Sequence, residues 1–285
     1  MRIAICGASG FVGTQLSRFF VQDGYEVVMI TRECLRDTAN LVRSLDGCEV
    51  IINLSGASII KRWSEAYKKE LYASRIETTA KLVDALPLLH KKPTTFISAS
   101  AVGLYKENLT HGENSEHYET GYLAHLVRDW EKEALRAETS GLRVVMLRMG
   151  VVLGVGGGII EEIKFAFKIG LGGIPGNGAQ PFSWVHMDDV LNIYKRAIEN
   201  PTMSGVYNLV SPEVTTMKTF MITFGKIINR KAWLHIPEAM IKLKYGEGSE
   251  ALLKGSFVIP KKLKEEGYKF SYDNLGKALK SILDA

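Results

Sequence analysis

RIAICGASGFVG, residues 2 to 13, is the stretch on which the fold turns. RIAIC is a short run of apolar and β-branched residues, and a helical pattern begins at Phe11. Between them stand Gly7, Gly10 and Gly13, a GxxGxxG spacing. Glycine permits a turn that a Cβ would block and lets the main chain approach a diphosphate. The helix that follows points its amino end at that negative charge. A glycine turn directly after the first strand and opening a helix therefore predicts a dinucleotide site, with Gly7, Ser9, Gly10, Phe11, Val12 and Gly13 against the phosphates.

Outward from that turn, apolar runs alternate with helical patterns. EVVMI (26–30), VIINL (50–54), TTFISAS (94–100), RVVMLRM (143–149) and VYNLV (206–210) read as strands. Helices are expected over 11–23, about 64–90, from near Tyr122, and over 186–200. The alternation predicts an α/β fold, a Rossmann-type doubly wound parallel sheet with a smaller C-terminal substrate lobe. Glycine is dense between 154 and 178, which reads as a loop-rich lobe. The end of the chain, from about 214, reads as helical with breaks at Pro237 and Pro260. The expected division is 1–153 with about 186–212 as the nucleotide-binding domain, and about 154–185 with 213–285 as the substrate lobe.

Composition narrows the function. Hydrophobic residues make up 46% of the 285, and no window of about 18 uninterrupted apolar residues occurs, so neither disorder nor a membrane span is expected. The net charge of +5 is scattered in short clusters without interleaved aromatics, which argues against a nucleic-acid partner. Cys6, Cys34 and Cys48 form no CxxC pair and have no zinc-like spacing, so a reducing compartment and no metal are expected. With the first strand starting at the second residue, no leader is expected and the location reads as cytoplasmic. The end of the second strand carries Thr31 and Arg32. An acidic residue there would hold the ribose hydroxyls of NAD, whereas an arginine accommodates a 2′-phosphate, so the preferred cofactor reads as NADP. The alternative for Arg32 is an exposed loop residue beside Glu33.

With NLSGA (53–57) and SAS (98–100) in place, the sequence resembles an extended short-chain dehydrogenase/reductase. More specifically it resembles the atypical epimerase family of bacterial YfcH-type proteins and their eukaryotic relatives. KRWSEAYKKELYASRIETT (61–79), SASAVGLY (98–105), LRMGVVLGVGGG (147–158), GLGGIPGNGAQPFSWVHMDD (170–189) and IPKKLKEEGYKFSY (259–272) carry the likeness across nearly the whole chain. The resemblance implies NADP bound with Leu54, Ser55 and Gly56 also against it, and a small-molecule substrate in the cleft between the lobes. By analogy it implies a homodimer through helices 64–90 and 122–137.

The superfamily's chemistry uses a Ser, a Tyr and a Lys four residues later, the Lys lowering a phenol pKa of about 10. Ser100 matches the Ser, or else is a polar residue closing a buried strand. Tyr122 lies within one residue of the Tyr, but Leu126 stands where the Lys belongs, and no tyrosine in the chain has Lys four residues on. Tyr122, Leu126 and Trp130 also form a stripe that fits helix packing. Aligning RIETT (75–79) with the superfamily's Asn helix puts Arg75 where the relay Asn stands. There it would supply positive charge or grip an anionic substrate; its alternative is an ion pair with Glu77 or Asp84. His125, Tyr105, Trp184, His186, Arg62 and Trp63 are weaker candidates. The catalytic expectation is thus Ser100, Tyr122 and Arg75 in an NADP-dependent oxidoreductase or epimerase-like protein with a non-standard acid/base. The alternative is a catalytically degenerate NADP(H)-binding sensor or scaffold. A hydrolase is not supported, since GASGF is not a GxSxG elbow.

Overall fold

The computed structural model describes residues 1–232 and 234–284. In chain order the strands are β1 Arg2–Cys6, β2 Glu26–Ile30, β3 Val50–Asn53, β4 Thr95–Ala101, β5 Thr110–His111, β6 Arg143–Met149, β7 Val151–Leu153, β8 Gly173–Pro175, β9 Trp184–His186, β10 Gly205–Leu209, β11 Leu234–Ile236 and β12 Phe257–Val258. The helices are α1 Phe11–Gln22, α2 Thr38–Leu45, α3 Glu65–Tyr72, α4 Thr78–Ala85, α5 Tyr122–Leu135, α6 Gly158–Lys168, α7 Met187–Glu199, α8 Met217–Ile227, α9 Glu238–Tyr245, α10 Glu250–Leu253, α11 Lys261–Glu265 and α12 Leu275–Leu283. Six parallel strands make one sheet in the order β10-β6-β4-β3-β1-β2, the α/β architecture the alternation predicts. The order reverses at β1, which places the glycine turn at the crevice where such sheets bind ligands.

Both faces of the sheet are buried, as crossover helices require. Ile3, Ile5, Ile52, Ile97, Val145 and Leu147 pack against α1 and α7 through Leu16, Phe20, Val190 and Ile193. Ala4, Cys6, Ile51, Phe96, Val144 and Met146 face the other way, onto Leu41, Leu45, Leu82 and Ala134 of α2, α4 and α5. A separate core of Ile160, Phe167, Trp184, Phe220, Phe224 and Leu279 joins α6, α8 and α12 beside the β7–β9 pair.

Three expectations change. The glycine-rich stretch 154–178 is not simply loop, because it contains α6 and β8. Its glycines mark close packing: a Cβ on Gly157 would lie 2.4 Å from Phe11 Cδ2, and one on Gly172 2.4 Å from Phe167 Cδ1. The helix expected over 64–90 is α3 and α4 joined by a π turn at Ala73–Glu77, with a 3₁₀ turn at Leu86–Leu88. The last seventy residues are also less uniformly helical than expected, since β11 pairs with β8 and β12 with β5.

The carboxy-terminal segment is tied back to the sheet by one carboxylate. Asp189, fully buried in the first turn of α7, accepts hydrogen bonds from Ser271 N (2.8 Å), Tyr272 N (3.0 Å) and Tyr268 Oη (3.1 Å). Asp189→Ala would strand two backbone donors and a phenol. We expect it to lower unfolding free energy by roughly 3 kcal/mol in urea titrations, by analogy with other lost charge-assisted bonds.

Candidate functional site

The glycine turn is fitted to backbone neighbours on three sides. Gly7 has φ +86°, and a Cβ there would lie 2.9 Å from the carbonyl carbon of Leu54. A Cβ on Gly13 would lie 2.1 Å from Gly7 O, so α1 sits against the turn at a distance only glycine allows. Gly10 N donates to Gly7 O at 3.0 Å and closes the turn. Gly10 caps α1 without a side-chain hydrogen bond, and the helix has no acidic residue in its first turn. The amino end of α1, with Ser9, Phe11 and Val12 around it, is therefore open to an anion. The Phe11 ring is enclosed by Gly154, Gly157 and Gly158.

Beside the turn, β2 is followed by Thr31 and Arg32, both exposed. Thr31 Oγ1 lies 3.4 Å from Cys34 Sγ, and this hydrogen bond pulls the Cys34 thiol below its ordinary pKa. Burial instead pushes the Cys6 thiol up to about 12 and raises Cys48. At the end of β3, Leu54 N donates to Cys6 O (2.9 Å). Asn53 Oδ1 accepts from Ser55 N (3.1 Å) and Ser55 Oγ (2.5 Å). Buried Asn53 donates to Thr79 Oγ1 at 2.8 Å, which fixes the β3 end to the π turn.

Arg75 is on that turn. Thr79 Oγ1 donates to Arg75 O (2.6 Å) and receives Trp130 Nε1–H (3.1 Å), so the irregular backbone is pinned from two sides. The guanidinium lies on Gly56, where a Cβ would come within 3.0 Å of Cζ, and its Cζ is 5.4 Å from the centre of the Trp130 ring. It donates to Ala57 O (2.9 Å) and Leu71 O (3.4 Å). The expected alternative partner Asp84 is held by Arg136 at 2.7 Å, and no carboxylate pairs with Arg75 among the described residues. Burial pulls its pKa down to about 10, with the phenols of Tyr122 and Tyr67 acting the other way.

Tyr122 opens α5 and donates from Oη to Lys68 O at 2.7 Å. The Lys68 ammonium is 5.5 Å from the ring centre, and Trp63 packs on the ring at 5.6 Å. Burial raises the phenol's pKa, against the opposing charges of Arg75 and Lys68. Leu126 and Trp130 are buried with Trp63, Leu71 and Ile76, so the α5 stripe does pack as core.

Ser100 lies elsewhere. It shares the sheet face of Phe96, and its buried hydroxyl donates to Glu131 Oε1 at 2.5 Å. Arg148 grips the same carboxylate through Nε and Nη2, both at 2.7 Å, and donates from Nη1 to Tyr105 Oη at 2.8 Å. Tyr105 Oη donates onward to Asn208 Oδ1 (2.8 Å). Ser100 shares no hydrogen-bond partner with Arg75 or Tyr122. Tyr105 is likewise a buried member of this network rather than a site acid. His125 is exposed and receives a bond from Arg128 (2.8 Å). His186 caps α7 through Nδ1 and packs on Tyr272, and Trp184 fills the core shared with Ile160, Phe220 and Leu279. Arg62 donates to Leu243 O (2.8 Å), and a Cβ on Gly248 would lie 2.0 Å from Lys61 O, so the 61–63 loop abuts the carboxy-terminal lobe. Sequence reasoning missed Asn53, Lys68 and Glu131. For Glu131 the available signal was its place in a helix facing Arg148 two elements later, one acid for one arginine.

These elements define a member of a nucleotide-dependent reductase and epimerase class. The chain belongs to the NAD dependent epimerase/dehydratase family, which residues 3–209 match, while residues 236–282 match a domain of unknown function, DUF1731. It is 33% identical to the human epimerase family protein SDR39U1 over 99% of this chain and 100% of that one. It is 34% identical to the epimerase family protein YfhF of Bacillus subtilis over 99% and 98%. A crystal structure of human SDR39U1 (isoform 2) with NADPH superposes with a TM-score of 0.92 at 33% identity, covering 100% of this chain and 99% of that one. UDP-glucuronic acid 4-epimerase from Bacillus cereus, 17% identical, shares the fold (TM-score 0.82; 100% and 98% covered). No helix among the described residues is long and apolar enough to cross a membrane, and no cluster of metal-ligating side chains occurs among them.

Two outcomes check this geometry. Glu131→Ala leaves the Arg148 charge buried without a partner and should cost roughly 3–5 kcal/mol in chemical denaturation. Iodoacetamide at pH 8 should modify Cys34 roughly tenfold faster than Cys6 or Cys48, as read by peptide mass spectrometry, because only Cys34 combines partial exposure with a lowered pKa.

Proposed function

We propose that this protein binds NADP(H) along the glycine turn and acts as an oxidoreductase or epimerase-like enzyme on a small carbonyl or hydroxyl compound, with a non-standard acid/base. The observation that carries the reading is the cradle itself. The turn is so tightly closed that a Cβ on Gly7 or Gly13 would collide with main chain, and α1 presents an uncapped amino end beside it. In this reading Gly7, Ser9, Gly10, Phe11, Val12 and Gly13 take the diphosphate, and Leu54, Ser55 and Gly56 take the nicotinamide half. Thr31 and Arg32 take the adenosine ribose, Arg32 meeting the 2′-phosphate. The NADPH seen with human SDR39U1 supports the same choice of nucleotide. When bound, NADP(H) supplies or accepts the hydride.

Tyr122 handles the proton. The phenol is protonated at neutral pH and can donate to a forming alkoxide; burial works against the phenolate left behind, and the charges of Arg75 and Lys68 work for it. Arg75 contributes the positive charge that the missing Lys would supply. Ser100 acts indirectly, by holding Glu131 and thereby α5, on which Tyr122 is carried. A sensor or scaffold reading is favoured by one observation, that Tyr122 Oη is committed to a main-chain carbonyl.

The test is a side-by-side fluorescence titration with NADPH and NADH. We expect NADPH to bind more tightly and Arg32→Ala to weaken it roughly tenfold with little change for NADH. In a carbonyl and alcohol screen, Tyr122→Phe should slow hydride transfer about 10²-fold without altering NADPH affinity. Tight NADPH binding with no turnover of any compound would favour the sensor, and no binding of either nucleotide would sink both readings.

A further inference from the structure

We infer that Arg75 is the anchor for a carboxylate on the ligand of this site, so that the substrate class is a small hydroxy or oxo acid. The inference rests on the reading of the cleft beside the nicotinamide end as the substrate site. Three observations carry it. First, Arg75 is a cation without a counter-ion: it spends two N–H groups on the carbonyls of Ala57 and Leu71, and the ionisable groups that act on it are two neutral phenols. A desolvated guanidinium without an acid is costly, and an apolar residue of similar size would pack more favourably unless a ligand supplied the charge.

Second, the guanidinium is preorganised. Gly56 beneath it, Trp130 beside it and the pinned π turn hold it in place. π turns inside helices recur where a side chain must be aimed at a ligand. The remaining N–H donors lie in the fixed planar fork that matches a carboxylate.

Third, other cations of the same stretch already have contacts of their own, Arg62 among them through Leu243 O. The Lys68 ammonium pairs with Glu247 (2.7 Å) and Glu65 (3.2 Å), and the Lys61 ammonium lies 5.2 Å over the Tyr67 ring. Arg75 has no acid partner among the described residues, and one guanidinium balances a monoanion, whereas a phosphate dianion or a nucleotide diphosphate would need more. Trp63, Leu126 and Trp130 form a buried core cluster with Ile76 of the π turn, so the surroundings of the guanidinium are apolar.

The experiment uses the full chain saturated with NADPH. Acetate, pyruvate and phenylpyruvate are titrated at constant ionic strength, with methyl pyruvate and inorganic phosphate as controls, and binding is read by nicotinamide fluorescence and thermal shift. We expect saturable binding of at least one carboxylate, none of the ester, and at least a tenfold weakening in Arg75→Met. Arg75→Lys should recover part of that loss. Arg75→Gln, which keeps hydrogen-bonding capacity without the charge, is the second variant should Arg75→Met fail to fold. No carboxylate binding, equal binding of phosphate, or affinity unchanged in the folded variant would overturn the proposal. NADPH affinity measured in the same samples separates the two claims: its loss in the wild type defeats the cofactor reading, while its retention with no carboxylate response defeats only this one.

Discussion

The buried pair of Glu131 with Arg148 is the constraint on which the rest of the structure depends. Burial opposes the Arg148 charge, and the two bonds from Glu131 more than restore it, so the guanidinium is held firmly protonated. Such a pair is tolerated only when every remaining polar atom finds a partner, and here the partners belong to different elements. Ser100 brings in β4, Glu131 brings in α5 and Arg148 brings in β6. Tyr105 passes the chain to Asn208 of β10, whose amide N donates to Glu113 (3.0 Å) while its side chain donates to Ile259 O (3.1 Å). One continuous set of bonds therefore sets the height of α5 above the sheet and the seat of the carboxy-terminal segment. The helix start that carries Tyr122 is placed by groups on the opposite side of the same helix.

Much of the fold was legible because the backbone itself demands certain residues. Only glycine fits at Gly7 and Gly13, and β-branched runs between helical patterns leave few topologies other than a parallel sheet. The orientation of Ser100 was not legible, for a specific reason. Phe96 and Ile97 are both apolar because both sheet faces are covered, so alternation along β4 does not reveal which face receives the serine. Arg75 was placed on the right helix but its surroundings were not. The π turn inserts an extra residue and rotates everything after it, so pairings counted at uninterrupted α-helical spacing fail there. Pairs such as β12 with β5, two residues each, are too short to have a period at all.

The two halves of the site differ in kind. The nucleotide half is made of main chain and missing side chains, which explains its visibility in sequence. The half proposed for the substrate is made of side chains with long reach, Arg75, Tyr122, Lys68 and Trp63, each positioned by a different element. Family membership fixes the first half and leaves the second open, since chemistry resides in the constellation and not in the scaffold.

The enclosure of Phe11 has a consequence for how the chain can change. Three glycines, at 154, 157 and 158, each approach the same aromatic ring, so the amino acid tolerated at any one of them is conditional on position 11. Substitutions there are coupled and cannot be scored one at a time: an alanine at 157 gains room once position 11 is small, whereas one at 154 still meets Met187 Cβ at 2.9 Å and Gly158 keeps a backbone cost of its own at φ +63°. Sequence drift in the glycine-rich segment is thus gated by a residue almost 150 positions earlier, in the first turn of α1.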